Sequence, residues 1–205
     1  MTGITFDDGY AENSEHAIPL LIKRKIPVTY FITSENIFTG KPFPHDAERK
    51  RPLDVNDVES IKAMAAAGVE IGAHTKSHPD LGKIQDPEVL KDEVINSAIE
   101  LQSALGIRLR YFAFPFGQIS NLNQLAYEMC VEHGFEGVCS AYGGYNEIGE
   151  DGYHLQRIHG DPSLSRIKNW LTFDPRLKRG TRYRFIEPVS LANQVTDQKP
   201  ELVSN

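Results

Sequence analysis

The sequence predicts an α/β protein built from β/α units, and two observations indicate this class. Short apolar runs alternate with longer amphipathic segments along the 205-residue chain, which is typical of strands alternating with helices. No sequence repeat of the length found in solenoid proteins is present. A chain of this length suits one domain, since compact domains usually have about 100 to 200 residues.

The apolar runs have the short length and the β-branched or aromatic composition of buried strands. We therefore predict six strands, which are Ile4–Asp7, Val28–Ile32, Val69–Ala73, Tyr111–Phe114, Gly137–Ser140 and Leu155–Ile158. The first strand lies very near the start of the chain, although a buried strand usually has about five or six residues. We expect the native gene product to begin further upstream, with part of a strand or a targeting segment missing here.

Between the strands, the amphipathic segments predict four helices, which are Ser14–Lys25, Val55–Ala67, Pro87–Leu105 and Leu122–His133. The third has clear boundaries, because Asp86 suits the N-cap, Pro87 suits the first turn and Gly106 suits the end. The segment 39–54 contains three prolines and no periodicity, so it predicts a long surface loop. We predict one domain over residues 1–187, followed by a polar tail over residues 188–205.

Composition and charge exclude several classes of protein. Residues of the set AVILMFWYC make up 40% of the chain and charged residues 24%, which excludes a disordered or fibrous chain. The formal net charge of −6 argues against a nucleic-acid partner. No apolar stretch is long enough for a transmembrane helix, and the N-terminus lacks the layout of a signal peptide. Neither the compartment nor the oligomeric state follows from the sequence.

The two cysteines, Cys130 and Cys139, do not form a CxxC pair or a recognisable zinc spacing. We predict that both are ordinary core or near-surface residues, and a single bridge between them is the alternative.

Two adjacent carboxylates, Asp7 and Asp8, end the first predicted strand within Thr-Phe-Asp-Asp-Gly. The carboxyl ends of strands in β/α folds are where active sites are built. The alternative is structural, because Asp-Asp-Gly is also a favourable turn sequence.

Two histidines, His74 and His78, directly follow the third predicted strand and are four residues apart. If the segment forms one helical turn, both imidazoles face the same way and can share a metal ion. Capping or chance is the alternative for the two histidines alone. Together with a carboxylate from another strand end, they make a three-ligand set of the kind that catalytic metal sites use. The second carboxylate is then available as a general base.

These two motifs, TFDDG and HTxxH, resemble those of the polysaccharide deacetylase family, also called carbohydrate esterase family 4 or the NodB homology domain, over roughly residues 4–160. The resemblance implies a distorted (β/α) barrel with fewer than eight repeats and metal-dependent removal of acetyl groups from the N-acetylated sugars of a glycan or polysaccharide. It implies that Asp7 is the catalytic base and that Asp8, His74 and His78 bind the metal. Zinc suits two imidazoles and one carboxylate, with cobalt, nickel and iron as alternatives.

A third family motif differs in this chain. Many members have an arginine before Pro-Tyr-Gly that holds the catalytic aspartate, and here Ala113 stands at that position, before Pro115-Phe116-Gly117. The stretch FAFPFG resembles the FAYPxG variant of a branch that includes poly-N-acetylglucosamine deacetylases. We expect another arginine to hold Asp7, with Arg157 the first candidate and Arg110 the second. The resemblance implies that Phe116 lines the groove and offers its backbone N–H to the oxyanion.

The last family motif, Leu-x-His, is matched by Leu155 to His159 with one extra residue. The resemblance implies that His159 protonates the leaving amine, with His154 as the alternative. Three other histidines, His16, His45 and His133, are interpreted as ordinary helix or loop residues. Two aromatic residues, Tyr142 and Tyr145, lie on the loop after the fifth strand and predict a wall for a sugar ring, with simple loop closure as the alternative.

Other functions remain open from the sequence. An enzyme of the same fold acting on O-acetyl esters or cyclic amides or imides is one alternative. A non-catalytic glycan-binding module is another, and the missing arginine of the third motif is its best argument. A structural role is the third. A basic cluster near the C-terminus is a candidate anion-binding patch or a solvated face, and it consists of Arg176, Lys178, Arg179, Arg182 and Arg184.

Overall fold

The computed structural model describes residues 3–48, 52–149, 151–179 and 183–186. A six-stranded sheet forms its centre, and each strand pairs in parallel with the next one along the chain. The strands are β1 (Ile4–Phe6), β2 (Val28–Ile32), β3 (Glu70–Ala73), β4 (Tyr111–Ala113), β5 (Gly137–Ser140) and β6 (His154–Gln156). The α/β class and the six strands are therefore confirmed, with boundaries that shift by one or two residues.

The sheet curls into a half-barrel. Among the described residues, β1 and β6 lie at the two ends of the strand order and do not pair. The Arg157 side chain, directly after β6, nevertheless donates hydrogen bonds to Asp7 and to Thr5 of β1. The two ends of the sheet therefore approach within the length of one side chain, as in a distorted barrel with fewer than eight repeats.

Helices and single turns connect the strands. The α-helices are α1 (Ile18–Lys23), α2 (Ser34–Thr39), α3 (Pro44–Glu48), α4 (Val58–Ala66), α5 (Pro87–Lys91), α6 (Ser97–Leu105), α7 (Gln124–His133), α8 (Leu164–Thr172) and α9 (Pro175–Arg179). Two π-helical turns, Asn13–Ala17 and Asp92–Asn96, and two 3₁₀ turns, Leu81–Lys83 and Ile119–Asn121, complete them. Within the described ranges, no helix has the length and apolarity needed to span a bilayer.

Capping residues fix the helix boundaries. The Asp86 side chain accepts a hydrogen bond from the Glu88 N–H, and Gly106 ends the same helical region with a left-handed φ of 70°. The predicted helix Pro87–Leu105 is present, but the turn Asp92–Asn96 divides it into α5 and α6. Helix α4 begins three residues later than predicted, because Asp57 caps it by accepting from the Ser60 N–H.

The prediction of an irregular loop over 39–54 is wrong for one segment. Residues Pro44–Glu48 form α3, although their sequence has no helical periodicity. Tertiary contacts hold this short helix, since the Phe43 side chain before it is 1% exposed and Asp46 within it is 7% exposed. Helices α2, α8 and α9 are likewise outside the four predicted helices.

The core lies between the sheet and the helices. Phe112 and Phe114 are fully buried, and their rings meet edge to face with centroids 5.2 Å apart. Cys130 and Cys139 are buried free thiols, which confirms their interpretation as core residues and excludes the bridge between them. The predicted tail, 188–205, lies outside the described residues.

Candidate active site

The predicted metal ligands lie together at the carboxyl ends of β1 and β3. Asp8 Oδ1 is 3.5 Å from His74 Nε2 and 3.2 Å from His78 Nε2. One ligand atom from each of these three residues lies within 4.8 Å of the others. Asp8, His74 and His78 therefore form a candidate site for a divalent metal ion, and we call them the metal triad.

The hydrogen bonds of the triad fit a metal ion. His74 Nδ1 is 2.7 Å from the Ala113 carbonyl oxygen, so Nδ1–H is the donor and Nε2, which carries the lone pair when the ring is neutral, faces Asp8. Asp8 Oδ1 is buried and has no hydrogen-bond partner among the described residues. Acceptor atoms thus converge on one point, where a cation would satisfy them.

The ionisation of the two imidazoles reflects the same arrangement. Burial lowers the pKa of His74, but the Asp7 and Asp8 carboxylates outweigh burial and raise this pKa above its ordinary value. Burial, followed by the neighbouring His74, lowers the pKa of His78 to about 4. His78 is therefore a neutral nitrogen ligand near neutral pH. At His74 the two neighbouring carboxylates favour a positive charge.

The backbone around the triad adopts the left-handed conformation at several residues that are not glycine. Of five such residues in the described ranges, four belong to the site and have φ angles between 60° and 78°: Asp8, Thr75, His78 and Phe116. The His74–His78 segment is therefore not the single helical turn considered from the sequence. Left-handed Thr75 and His78 instead place the two imidazole rings 5.0 Å apart. Such conformations cluster at functional sites, where the surroundings impose them.

Glu93 anchors the histidine loop from the π-helical turn Asp92–Asn96. Its Oε2 accepts hydrogen bonds from the Lys76 and Ser77 N–H groups, and its Oε1 accepts one from the Ser77 hydroxyl. π-helical turns often occur at functional sites, and this one carries the residue that holds the histidine loop. Glu93 was not among the residues predicted from the sequence, since no motif links it to a loop 16 residues away.

Asn56 anchors the loop after β1 in a similar way. This residue is 4% exposed, and its side-chain amide donates to the carbonyl oxygens of Gly9 and Tyr10 at 2.9 and 3.1 Å. The Tyr30 hydroxyl also donates to the Tyr10 carbonyl oxygen, at 2.6 Å. Buried side chains thus hold the loop that carries Asp7 and Asp8.

Arg157 binds Asp7 in a bidentate ion pair. Its Nη1 and Nη2 donate to the two Asp7 carboxylate oxygens at 2.6 and 2.9 Å, and its Nε donates to the Ser140 carbonyl oxygen at 3.1 Å. The contact expected for Arg157 is therefore present. The other candidate, Arg110, is instead paired with Glu70 and Glu136.

This ion pair controls the charge of Asp7. Burial raises the pKa of the Asp7 carboxyl, but the Arg157 guanidinium and then His74 outweigh burial and hold this pKa below its usual range. Asp7 is therefore a carboxylate near neutral pH. Its Oδ2 lies 3.9 Å from His74 Nε2, so an ionised carboxylate lies directly beside the metal triad.

The third motif forms the next wall of the site. Phe116 is 54% exposed, and its ring lies 4.8 Å from the His78 ring. Its N–H makes no hydrogen bond to any described residue. Gly117 allows this turn to pack closely, because a Cβ at that position would lie 2.6 Å from the Ala141 nitrogen.

The remaining predicted residues differ in their surroundings. His159 is exposed and makes no hydrogen bond or ion pair to the described residues. His154 is 4% exposed, and its Nε2 lies 2.9 Å from the Ser140 hydroxyl oxygen. The Tyr145 hydroxyl donates to the Trp170 carbonyl oxygen, and the Tyr142 hydroxyl accepts from the Tyr183 N–H. These contacts favour loop closure for both tyrosines.

One further segment of the site was not predicted from the sequence. Residues 43–46 lie against His78, with the Phe43 and His45 rings 5.7 and 6.5 Å from the His78 ring. The sequence carries no signal for this contact, since these residues occur in a proline-rich stretch far from both motifs.

Comparisons with known proteins agree with this geometry. A family model described as polysaccharide deacetylase matches residues 1–137. A chitooligosaccharide deacetylase of Bradyrhizobium sp. (strain ANU 289) is 28% identical over 116 residues, which are 56% of this chain and 45% of the relative. A peptidoglycan-N-acetylglucosamine deacetylase of Bacillus cereus is 28% identical over 123 residues, 60% of this chain and 38% of the relative. The chain spans about half, or less, of the length of such curated relatives.

Solved structures share the fold. The Streptococcus pyogenes deacetylase PplD in complex with acetate superposes with a TM-score of 0.68 at 21% identity, covering 84% of this chain and 70% of that one. IcaB from Ammonifex degensii gives 0.64 at 24% identity, covering 82% and 69%. With the family model matching more than half of its residues, the chain belongs to the polysaccharide deacetylase family.

Proposed function

We propose that this protein is a metal-dependent hydrolase that removes acetyl groups from the N-acetylated sugars of a polysaccharide or glycan. The observation that carries the proposal is the ionised Asp7, held by Arg157 and placed beside Asp8, His74 and His78. This arrangement provides a general base and a metal triad in one site, which a structural role would not need. Family membership supports the same chemistry.

The triad holds the metal ion in this proposal. A bound divalent ion would supply Lewis-acid activation of the acetamide carbonyl and of a water molecule. Two neutral imidazoles and one carboxylate suit zinc first, with cobalt, nickel or iron as alternatives. The Ala113 carbonyl fixes the tautomer of His74, which keeps its Nε2 available as a ligand.

Asp7 accepts the proton of the attacking water. Arg157 occupies one lone pair on each carboxylate oxygen and leaves further acceptor positions for that proton. The N–H of Phe116, which has no partner among the described residues, is proposed to donate to the oxyanion that forms as water adds to the carbonyl. His159 is proposed as the acid that protonates the departing sugar amine, and its exposure lets it meet the substrate from the solvent side.

Finer assignments extend this proposal. We assign the catalytic domain to residues 1–187, with the tail after it. The stretch FAFPFG supports the FAYPxG branch, because Arg157 takes over the role of the arginine that the branch lacks in its third motif. Tyr142 and Tyr145 are proposed to contact a sugar only through the faces of their rings. Their hydroxyls already make hydrogen bonds to the backbone of other residues.

The geometry of the site also bears on the two alternative functions, a glycan-binding module and a hydrolase of other carbonyl substrates. The glycan-binding module loses its main argument, because Asp7 has an arginine partner. Hydrolysis of an O-acetyl ester or a cyclic amide or imide by the same residues is the second candidate, because the base and the triad serve any such carbonyl.

Metal analysis combined with an acetate-release screen separates N-deacetylation, O-deacetylation and glycan binding without turnover. We expect one divalent ion per chain and metal-dependent acetate release from N-acetylated glycans. Acetate release from O-acetylated glycans alone would support the ester alternative. Glycan binding without any turnover at full metal content would contradict the proposal and support the binding module.

A further inference from the structure

The metal triad has an unassigned neighbour in the segment 43–46. The rings of Phe43, His45 and Phe116 all contact the His78 ring, with centroids 5.7, 6.5 and 4.8 Å from it. Phe43 is buried, whereas the His45 side chain is 45% exposed and Phe116 is 54% exposed. Of these three rings, those of His45 and Phe116 therefore remain open to a bound molecule.

A chain of hydrogen bonds orients the His45 imidazole. The Tyr10 hydroxyl donates to Asp46 Oδ2 at 2.6 Å, and the Tyr10 hydroxyl oxygen lies 3.2 Å from His45 Nε2. Since the hydroxyl has one proton and gives it to Asp46, the Tyr10 oxygen accepts from His45 Nε2–H. Asp46 Oδ1, 3.5 Å from Nε2, also favours a proton on that nitrogen.

This orientation determines what His45 can offer to a ligand. With its proton on Nε2, a neutral imidazole presents Nδ1 as an acceptor, and Nδ1 makes no hydrogen bond to the described residues. The supporting residues are well fixed, because Asp46 is 7% exposed and the Tyr10 ring packs 5.2 Å from the Phe43 ring. An exposed acceptor on such a support differs from a freely solvated side chain, since little conformational entropy is lost when it binds.

We propose that His45 is a substrate-contacting residue, whose Nδ1 accepts a hydrogen bond from a hydroxyl or amide N–H of the sugar bound at the metal triad. Phe116 supplies the apolar surface of the same subsite, against which the C–H face of the sugar packs. Tyr10 and Asp46 are positioning residues that act through His45. The inference rests on the proposed function, because it requires a glycan at this site.

The experiment measures glycan affinity and turnover separately. The probe is a short oligomer of N-acetylglucosamine, titrated calorimetrically into zinc-loaded protein that carries Asp7→Asn, so that the glycan stays intact. Adding His45→Ala is expected to weaken the dissociation constant about tenfold, the value of one good hydrogen bond. Adding Tyr10→Phe is expected to weaken it a few-fold, because His45 remains but its tautomer is no longer fixed. His45→Gln, which keeps an acceptor, is expected to recover part of the affinity.

Matched controls distinguish a substrate contact by His45 from a structural role. His16→Ala removes an exposed histidine on the Asn13–Ala17 turn and is expected to leave the affinity unchanged. Unchanged affinity in His45→Ala overturns the inference, and so does a parallel loss of metal, which would show a structural role. Acetate release by the protein without the Asp7 substitution tests the proposed function independently. If no acetate is released, the proposed turnover is contradicted, but the titration still measures the His45 contact.

Discussion

The loops after β1 and β3 differ from the segment after β6, although all three belong to the site. In the first two loops, buried Asn56 and the Glu93 carboxylate hold the backbone, and left-handed residues aim the ligands at one point. In the segment after β6, His159 is exposed without a partner among the described residues. Helix α8 beyond it contains no buried residue. The metal triad and the Asp7 carboxylate are therefore preorganised, whereas His159, the proposed acid, is not.

Arg157 marks the boundary between these two regions. It lies two residues before His159, yet its side chain is 12% exposed and makes hydrogen bonds to Asp7, Thr5 and the Ser140 carbonyl oxygen. The residue directly after β6 is thus a fixed cation, whereas His159, two residues further on, is exposed. We infer that metal binding and proton abstraction are built into this fold, and that proton donation depends on how the substrate binds.

The largest expected effect is the loss of the metal. Replacing His74 and His78 together by alanine removes two of three ligands, so stoichiometric metal and all metal-dependent acetate release should disappear. Metal analysis after dialysis measures this directly, with circular dichroism as the check of folding. The matched control is the His16→Ala and His133→Ala double variant, which removes two histidines outside the site. Full metal content in the His74 and His78 variant would show that the ligands lie elsewhere.

The next effect separates the two adjacent aspartates. Asp7→Asn should keep the metal and lose about 10³-fold in kcat, since removal of a general base typically has an effect of this order. Asp8→Asn should instead weaken metal binding, because Asp8 is the carboxylate ligand of the triad. Measured metal content and acetate release for both variants give the contrast. Equal metal loss in the two variants would mean that Asp7 is also a ligand.

A smaller and more selective effect is expected at His159. His159→Ala should keep the metal and lose about 10²-fold on an acetamide substrate, the lower end for a general acid, since His159 is not held in place. An acetyl ester should be affected less, because its leaving group needs less protonation. Comparing kcat on the two substrates shows whether His159 acts as the general acid. Wild-type activity on the acetamide would remove His159 from the mechanism and leave His154 or a solvent molecule as the donor.

The smallest effect concerns the support of the histidine loop. Glu93→Ala removes three hydrogen bonds to Lys76 and Ser77, and the metal dissociation constant should rise about tenfold, as is usual for the support of metal ligands. Metal titration with a competing chelator gives this value. Glu100→Ala, on the exposed face of α6, is the matched control. If both variants bind the metal like the wild type, Glu93 does not position the loop.

The sequence predicts the strands and the triad well, because both depend on local signals. Buried parallel strands are apolar runs, and motif residues at strand ends meet at one edge of the sheet. The backbone of the histidine loop was not predictable in this way, since the left-handed conformations of Thr75 and His78 are imposed by distant partners such as Glu93. Helix α3 was not predicted for the same reason, because it is held by the tertiary contacts of Phe43 and Asp46.

The ion pair between Asp7 and Arg157 was predicted from neither local signals nor periodicity. The two residues are 150 positions apart, and no periodicity connects them. The pair was predicted only because Ala113 replaced an expected arginine and the family chemistry required a substitute. The structure supplies the physical reason, which is the curl of the sheet that brings β1 and β6 together.

The preorganisation of Asp7 as the proposed base is tested most sharply by the kcat of acetate release in Arg157→Lys at full metal content. Lysine keeps the charge but lacks the bidentate fork that fixes the Asp7 carboxylate. We predict that kcat falls about 10-fold to 100-fold with unchanged metal content, while Arg110→Lys, which alters the surface ion pairs with Glu70 and Glu136, retains wild-type turnover. A wild-type kcat in Arg157→Lys would contradict the claim that Arg157 positions the catalytic base.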